Sequence, residues 1–407
     1  MADTRLAIID GVRTPFCKMG TDLAALPADE LGRIAVSALL AKTGFDPSLV
    51  DEVIIGCVCQ PFDAANIARV IALRAGIPER VPAATVNRNC ASGMESLTAA
   101  AERVAAGRGS VFIVGGTESM SNVPLLYTQD AARKFAKLAK AKSAAESLTA
   151  MARFRVGDFR PRVGLQMGLT DPVSGLNMGE TAELLARENG ITREEQDAFA
   201  HCSHERAVAA ADAMAAEICL VYAGGGAITR DNGPRTDSST AGLSKLRPVF
   251  EKYGTVTAGN SSQVTDGAVS LLVMSEARAA ALGLTPLGFL THYAYTGCDP
   301  ARMGLGPVSA IAAASKRAGL TVDDADLVEI NEAFAAQVLA VLRHVPVPAE
   351  KLNVNGGAIA LGHPVGATGA RLVLTALNEL RRRNARRALV SLCVGGGQGA
   401  ALWLERN

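Results

Sequence analysis

The sequence predicts an α/β protein built from two similar halves, with a different stretch between them. Three observations predict this. Short aliphatic, strand-like runs alternate with helical spacing and glycine-rich turns throughout the 407 residues. The order of elements repeats, with Val53 aligning to Val328 at an offset of 275. Finally, 49% hydrophobic residues give a chain of this length enough apolar surface for a large core.

The first repeated unit is a helix, a turn and a strand. Leu31 to Thr43 has helical spacing, Gly44-Phe45-Asp46-Pro47 turns the chain, and Val50 to Gly56 reads as a strand. Val308 to Ala318, Gly319 to Asp324 and Asp326 to Ile330 follow the same order. In the second unit, Val86 to Gly93 precedes an Ala-rich helix at about 94–106 and the strand Val111 to Gly116. Its counterpart runs from Val354 through Gly362-His363-Pro364-Val365-Gly366-Ala367-Thr368-Gly369 to a helix at about 370–382. The strand Ala388 to Cys393 follows. One duplicated plan explains both series.

The stretch at about 123–250 breaks the pattern. Residues 129–163 carry nine basic and three acidic side chains, a local net of +6, and 131–153 reads as helical. This basic segment is expected to meet a partner subunit or an anionic surface. Gly175 to Gly190 contains a further helix, and Thr192-Arg193-Glu194-Glu195 opens another as a capping box.

Composition narrows the function. Lys plus Arg number 41 against 40 Asp plus Glu, so no basic surface for nucleic acid spreads over the whole chain. No run of 18 or more uncharged apolar residues predicts a transmembrane segment. Met1-Ala2-Asp3-Thr4-Arg5 leads straight into strand-like Leu6-Ala7-Ile8-Ile9, without the parts of a secretory signal. Eight cysteines are too sparse for a disulfide scaffold, which points to a reducing cytoplasm. His201-Cys202-Ser203-His204 lacks a second ligand pair, so no metal is expected.

Four places could carry chemistry. Cys90 lies at a helix start, where free amides and the helix dipole favour a thiolate. His363 sits in a glycine-dense loop before a helix, and imidazole suits proton transfer from a thiol near neutral pH. Cys393 ends a strand before Val394-Gly395-Gly396-Gly397-Gln398-Gly399, whose amides can face an oxyanion. Asn331 follows a strand and can hold a water or a carbonyl. Core packing is the plainer explanation for any one of these alone. In open α/β sheets, however, such junctions at the carboxyl ends of strands form sites.

Together these residues resemble the thiolase family over essentially the whole chain. The resemblance rests on Asn87-Arg88-Asn89-Cys90-Ala91-Ser92-Gly93, Asn331-Glu332-Ala333-Phe334, the Gly362 to Gly369 loop and the Cys393 to Gly399 strand end. It implies two duplicated α-β-α-β-α halves around a pseudo-twofold, with an inserted loop domain. The corresponding boundaries are 1–122 with 251–282 for the N-terminal domain, 123–250 for the insert and 283–407 for the C-terminal domain. It also implies a homodimer or homotetramer.

By the same resemblance, Cys90 matches the acyl-carrying nucleophile and His363 its base. Asn331 matches the holder of an oxyanion-hole water, and Cys393 the second acid/base. The amides of Cys90 and Gly395 match a second oxyanion hole. Ser262, Met178, Ala333 and Phe334 match contacts to pantetheine and thioester. The implied reaction is thiolysis of 3-ketoacyl-CoA to acetyl-CoA and a shortened acyl-CoA, with coenzyme A as substrate and no cofactor. Asn260-Ser261-Ser262-Gln263-Val264-Thr265-Asp266-Gly267 and the basic insert look more like the thiolase subunit of fatty-acid oxidation complexes, so a β-oxidation partner subunit is expected. Asn177 stands where short-chain biosynthetic thiolases often have His, and those oxidation subunits tend to have His where Asn331 stands. The alternatives are a short-chain acetoacetyl-CoA thiolase and a non-catalytic acyl-CoA or lipid carrier.

Overall fold

A computed structural model describes residues 5–407. The reading of the start at Met1 to Thr4 lies outside them. The strands that matter are β1 (Leu6–Arg13), β2 (Glu52–Gly56), β3 (Ala83–Val86), β4 (Val111–Glu118), β5 (Thr265–Ser275), β6 (Gly288–Gly297), β7 (Leu327–Ile330), β8 (Arg387–Val394) and β9 (Gln398–Glu405). The helices are α1 (Ala28–Thr43), α2 (Ser92–Ala105), α3 (Gln129–Ala139), α4 (Ala144–Met151), α5 (Met178–Glu188), α6 (Arg193–Ala209), α7 (Gly306–Ala318), α8 (Ala335–His344) and α9 (Val365–Arg383).

The nine strands form one path, in the order β7-β8-β9-β6-β1-β5-β4-β2-β3, with the short Cys17–Lys18 pair beside β5. The duplication is visible in the pairing. β7 and β8 run parallel, β8 and β9 antiparallel, β9 and β6 antiparallel. β2 and β4, β4 and β5, and β5 and β1 repeat that series. The halves join where β1 meets β6 through Leu6↔Leu290, Ala7↔Phe289 and Ile8↔Gly288. β3 adds one parallel edge strand in the first half.

Helices α2 and α9 occupy corresponding places, each leading into the matching interior strand of its half, β4 or β8. They pack on each other and on the sheet. The core they share includes Met94, Leu97, Leu372, Leu377, Val114 and Val390, all buried. Contact between the helices is close because Gly93 and Gly369 bring backbones together: a Cβ at Gly93 would lie 2.7 Å from the amide of Ala370. Both site-bearing loops therefore end at one helix–helix contact.

The chain divides into two compact units. The smaller is Val123–Thr170, and the rest, including 171–250, belongs to the larger. α5 and α6 both pack on α8, which explains why residues beyond 170 belong there. Within the smaller unit, the helix expected over 131–153 is broken. Ser143 accepts from the amide of Glu146 at 3.2 Å and starts α4 afresh, so its hydroxyl ends the helical run between α3 and α4. Phe135, Phe154, Phe159 and Tyr127 form the aromatic centre of this unit, with Phe135 and Phe154 at 4.9 Å between centroids. The capping box at Thr192 is present, its hydroxyl accepting from the amide of Glu195.

Candidate active site

Cys90 lies between β3 and α2, in a turn held from several sides. Asn89 adopts φ 43°, and its carbonyl accepts from the Ser92 hydroxyl at 2.7 Å and the Ser92 amide at 2.9 Å. Arg88 braces the turn from outside. Its guanidinium lies 4.1 Å from the Tyr295 ring centroid and bonds Glu95 at 2.6 Å. The Asn89 side chain donates to the carbonyl of Gly395 at 2.8 Å, so the turn is tied to the loop after Cys393.

The Cys90 residue is only partly buried, which leaves it reachable, yet protein groups desolvate its sulfur. That desolvation raises the thiol pKa, while the amides of Gly395 and of Cys90 itself pull it down. Burial is the larger effect. The helix start was expected to favour a thiolate. Its amides do act that way, but the resting group is a thiol and needs a base.

His363 meets that need. It is buried, and burial together with the Arg371 cation lowers its pKa to about 4. The imidazole is therefore neutral at physiological pH. Its Nδ1 lies 2.7 Å from the Thr368 hydroxyl, and that hydroxyl donates its only hydrogen to the carbonyl of Pro364 at 3.0 Å. Thr368 must then accept from Nδ1–H. The lone pair is left on Nε2, which is buried and has no hydrogen-bond partner among the described residues.

Cys393 ends β8, fully buried beside Met178, Leu185, Met303, Ala333 and Phe334. Desolvation, then the charge Cys90 would carry, push its thiol well above the ordinary range. The two sulfurs thus lie within electrostatic reach of each other. Cys298 also acts on Cys393, and its amide donates to the carbonyl of Gly397 at 2.7 Å.

Asn331 closes β7, where its amide donates to the carbonyl of Ser391 at 3.0 Å. Its side chain is fully buried, and among the described residues neither Oδ1 nor Nδ2 has a hydrogen-bond partner. An unpartnered amide in the interior is a ready donor and acceptor for a polar ligand. Glu332 beside it is held by the Ser203 hydroxyl at 2.6 Å and the Asn353 amide at 2.9 Å.

Of the remaining expected residues, Met178, Ala333 and Phe334 pack in the cluster around Cys393, and Ser262 is tied to them. The Ser262 amide donates to the carbonyl of Ala333 at 2.9 Å, and Phe334 bridges to Ser261 and stacks edge-on against Phe250 at 6.0 Å. Met178 packs near Gly395, where a Cβ would lie 3.6 Å from its sulfur. Ser262 also lines a cavity of about 640 Å³, together with Phe250, Leu243, Lys18 and Arg235. Cys90, His363 and Cys393 do not line that cavity. Its wall comes within one hydrogen bond of the site, because the His363 amide donates to the carbonyl of Gln263 at 3.0 Å.

Sequence reasoning missed several contributors. Thr368 stands in a quoted motif, but its partner showed no sequence signal. Arg371 sits on the buried face of α9, and Glu118 at the end of β4. Nothing in the local pattern of either marks it. Among the described residues no cluster of His, Cys, Asp or Glu is arranged to hold a metal ion. No described helix is long and apolar enough to cross a membrane.

Comparison with known proteins gives a family. Residues 6–277 match the family model for the thiolase N-terminal domain, and 284–406 that for the thiolase C-terminal domain. The chain is 45% identical to an acetyl-CoA acetyltransferase of Chromobacterium violaceum, over 98% of this chain and 99% of that protein. It is 41% identical to a 3-ketoacyl-CoA thiolase of Serratia proteamaculans, over 98% and 97%. Among solved structures, the acetyl-CoA acetyltransferase of Bacillus anthracis superposes with a TM-score of 0.91 at 38% identity, covering 99% of each chain. Human mitochondrial 3-ketoacyl-CoA thiolase in complex with CoA does so at 0.90 and 38%, covering 99% and 98%. The chain belongs to the thiolase family.

Proposed function

We propose that the protein is an acetyl-CoA acyltransferase that cleaves 3-ketoacyl-CoA with CoA, and in reverse condenses two thioesters. The observation that carries this is a pair of thiols, Cys90 and the buried Cys393, within electrostatic reach of each other, together with a neutral imidazole whose Nε2 has no partner among the described residues. Nε2 of His363 takes the proton of Cys90, and Sγ attacks C3 of the substrate. The C2–C3 bond then breaks. Cys393 gives its proton to the departing enolate, and acetyl-CoA leaves. A raised thiol pKa suits that step, because an enolate is a strong base. CoA next gives its thiol proton to Cys393 and attacks the acyl group on Cys90. Acyl-CoA leaves, and Cys90 recovers its proton from His363.

The amides of Cys90 and Gly395, which face the Cys90 sulfur, can donate to an oxyanion formed on the carbon it attacks, and the Asn331 side chain offers a second polar contact. All proton and bond changes fall on these groups, so CoA enters as substrate and no cofactor is required. The cavity beside Ser262 suits a CoA arm: Leu243, Leu246 and Phe250 give apolar wall, while Lys18 and Arg235 offer charge to phosphate. Eight free cysteines fit a reducing cytoplasm.

Two further expectations remain proposals. The chain acts as a homodimer or homotetramer. Its β3 edge supports this, being partly exposed and paired on one side only. The basic unit Val123–Thr170, with exposed Leu148, Met151 and Val156, serves a β-oxidation partner subunit or an anionic surface. A second reading, short-chain acetoacetyl-CoA formation, is favoured by the relatives named acetyl-CoA acetyltransferase. Against it, Asn177 here caps α5, accepting from the Glu180 amide at 3.0 Å.

Steady-state thiolysis rates across 3-ketoacyl-CoA chain lengths test both readings. Activity that rises with chain length supports the β-oxidation reading, and activity confined to acetoacetyl-CoA supports the second. No thiolysis at any length overturns both.

A further inference from the structure

Glu118 ends β4 fully buried, and among the described residues no cation pairs with it. Donors from two separate segments satisfy it instead. Oε2 accepts from the amides of Gly366 at 3.0 Å and Val58 at 3.1 Å. Oε1 accepts from the amide of Cys59 at 2.9 Å, with the Cys57 thiol at 3.7 Å. Burial raises the carboxyl to about 7 against the opposing pull of these donors. None of the reaction steps above uses it.

Its position links the elements that carry the reacting groups. Gly366 lies in the first turn of α9, three residues after His363. A carboxylate there faces the positive end of the helix dipole. Cys57 to Cys59 follow β2, whose last residue Gly56 lies against Ser92 at the start of α2: a Cβ there would be 2.5 Å from the Ser92 carbonyl carbon. The Glu118 charge also reaches Cys90 and raises its pKa. The fit at α9 leaves no slack. A Cβ at Gly366 would lie 2.7 Å from the carbonyl oxygen of Thr117 and 2.9 Å from Oε2 of Glu118.

We infer that Glu118 is a positioning residue, tying the start of the His363 helix to the strand end beside the Cys90 helix and so setting base against nucleophile. This rests on the acyl-transfer reading for its consequence in turnover. It goes beyond that reading in naming a buried carboxylate that touches neither substrate nor reacting atom.

Two variants of the full chain separate its reach from its charge. Glu118→Gln removes the charge and, with its oxygen kept on the Gly366 and Val58 amides, turns its NH2 toward the amide of Cys59. Glu118→Asp keeps the charge but shortens the reach. Two readouts apply: kcat and KM for acetoacetyl-CoA thiolysis, and the pH dependence of iodoacetamide alkylation at the Cys90 peptide, read by mass spectrometry.

Both variants are expected to lose roughly ten- to a hundred-fold in kcat, the scale of small misplacements, with KM within about twofold. The Cys90 alkylation profile should move to lower pH in Glu118→Gln and stay put in Glu118→Asp. Should Glu118→Gln fail to fold, Glu118→Asp alone decides. Wild-type kcat in Glu118→Asp overturns the inference. If the wild-type chain itself shows no thiolysis, the acyl-transfer reading fails, while the alkylation shift still reports whether Glu118 acts on Cys90.

Discussion

The side chain of Asn89 donates to the carbonyl of Gly395 at 2.8 Å, so the residue before one reactive cysteine is fastened to the loop that follows the other. The bond crosses between the two halves of the duplicated plan. It also holds Asn89 in a left-handed conformation that most side chains avoid. Substituting Asn89→Ala removes the tether and strains the turn. Asn89→Gly removes only the tether. We expect kcat to fall in both, and further in Asn89→Ala, by about tenfold for each ~1.4 kcal/mol of lost alignment. Equal kcat in the two variants would argue against a strained turn at Cys90.

The His363 imidazole should not titrate in the usual range. Its pKa is lowered to about 4, so it is neutral above that value and takes up a proton only as pH falls toward it. Nitrogen NMR on imidazole-labelled protein should show Nδ1–H and a bare Nε2 between pH 5 and pH 8. An inflection near pH 6.5 would contradict the buried environment described.

Thr368→Val removes the acceptor that fixes this tautomer and leaves Nδ1–H unpaired in the interior. The expected result is a mixed tautomer signal and a loss of roughly tenfold or more in kcat. Thr368→Ser keeps the hydroxyl and should recover most of the rate.

The two thiols should be separable by reaction step. Cys393→Ser replaces a carbon-acid partner with a poorer one but leaves Cys90 and His363 in place. Exchange of the acetyl-CoA methyl protons into deuterated water should be lost, while acetylation of Cys90 persists. Proton NMR and intact-protein mass spectrometry follow the two events. Wild-type exchange in this variant would remove Cys393 from the mechanism.

Glycine at position 116 carries the approach of α9 to β4. A Cβ there would lie 1.9 Å from the carbonyl oxygen of Gly366, and that oxygen cannot move without shifting the helix. Gly116→Ala should destabilise the fold by roughly 1–3 kcal/mol or more, read as a lower midpoint in denaturant. It should lower kcat too, because α9 carries the His363 loop.

Much of this was legible from residues alone. The helix and strand order around Cys90 and His363 follows from apolar spacing and glycine turns, and those forces are local. The repeated pairing of β7-β8-β9-β6 and β2-β4-β5-β1 was foreshadowed by the offset between Val53 and Val328. Other features depend on distance in space. Glu118 and Arg371 sit in ordinary strand and helix patterns, and only folding brings them beside the reacting groups. The direction of the Cys90 shift was misjudged for the same reason: the helix start is visible in sequence, but the desolvation that outweighs it is not. The break at Ser143 was missed because apolar spacing continues through it while the hydroxyl caps a new helix.

Intact-protein mass spectrometry after rapid mixing with acetoacetyl-CoA tests the covalent step most directly. The mechanism predicts one acetyl group on the wild-type chain, located at Cys90 by peptide mapping, discharged by added CoA and missing from Cys90→Ala. An unmodified chain, or an acetyl group that persists in Cys90→Ala, would contradict it.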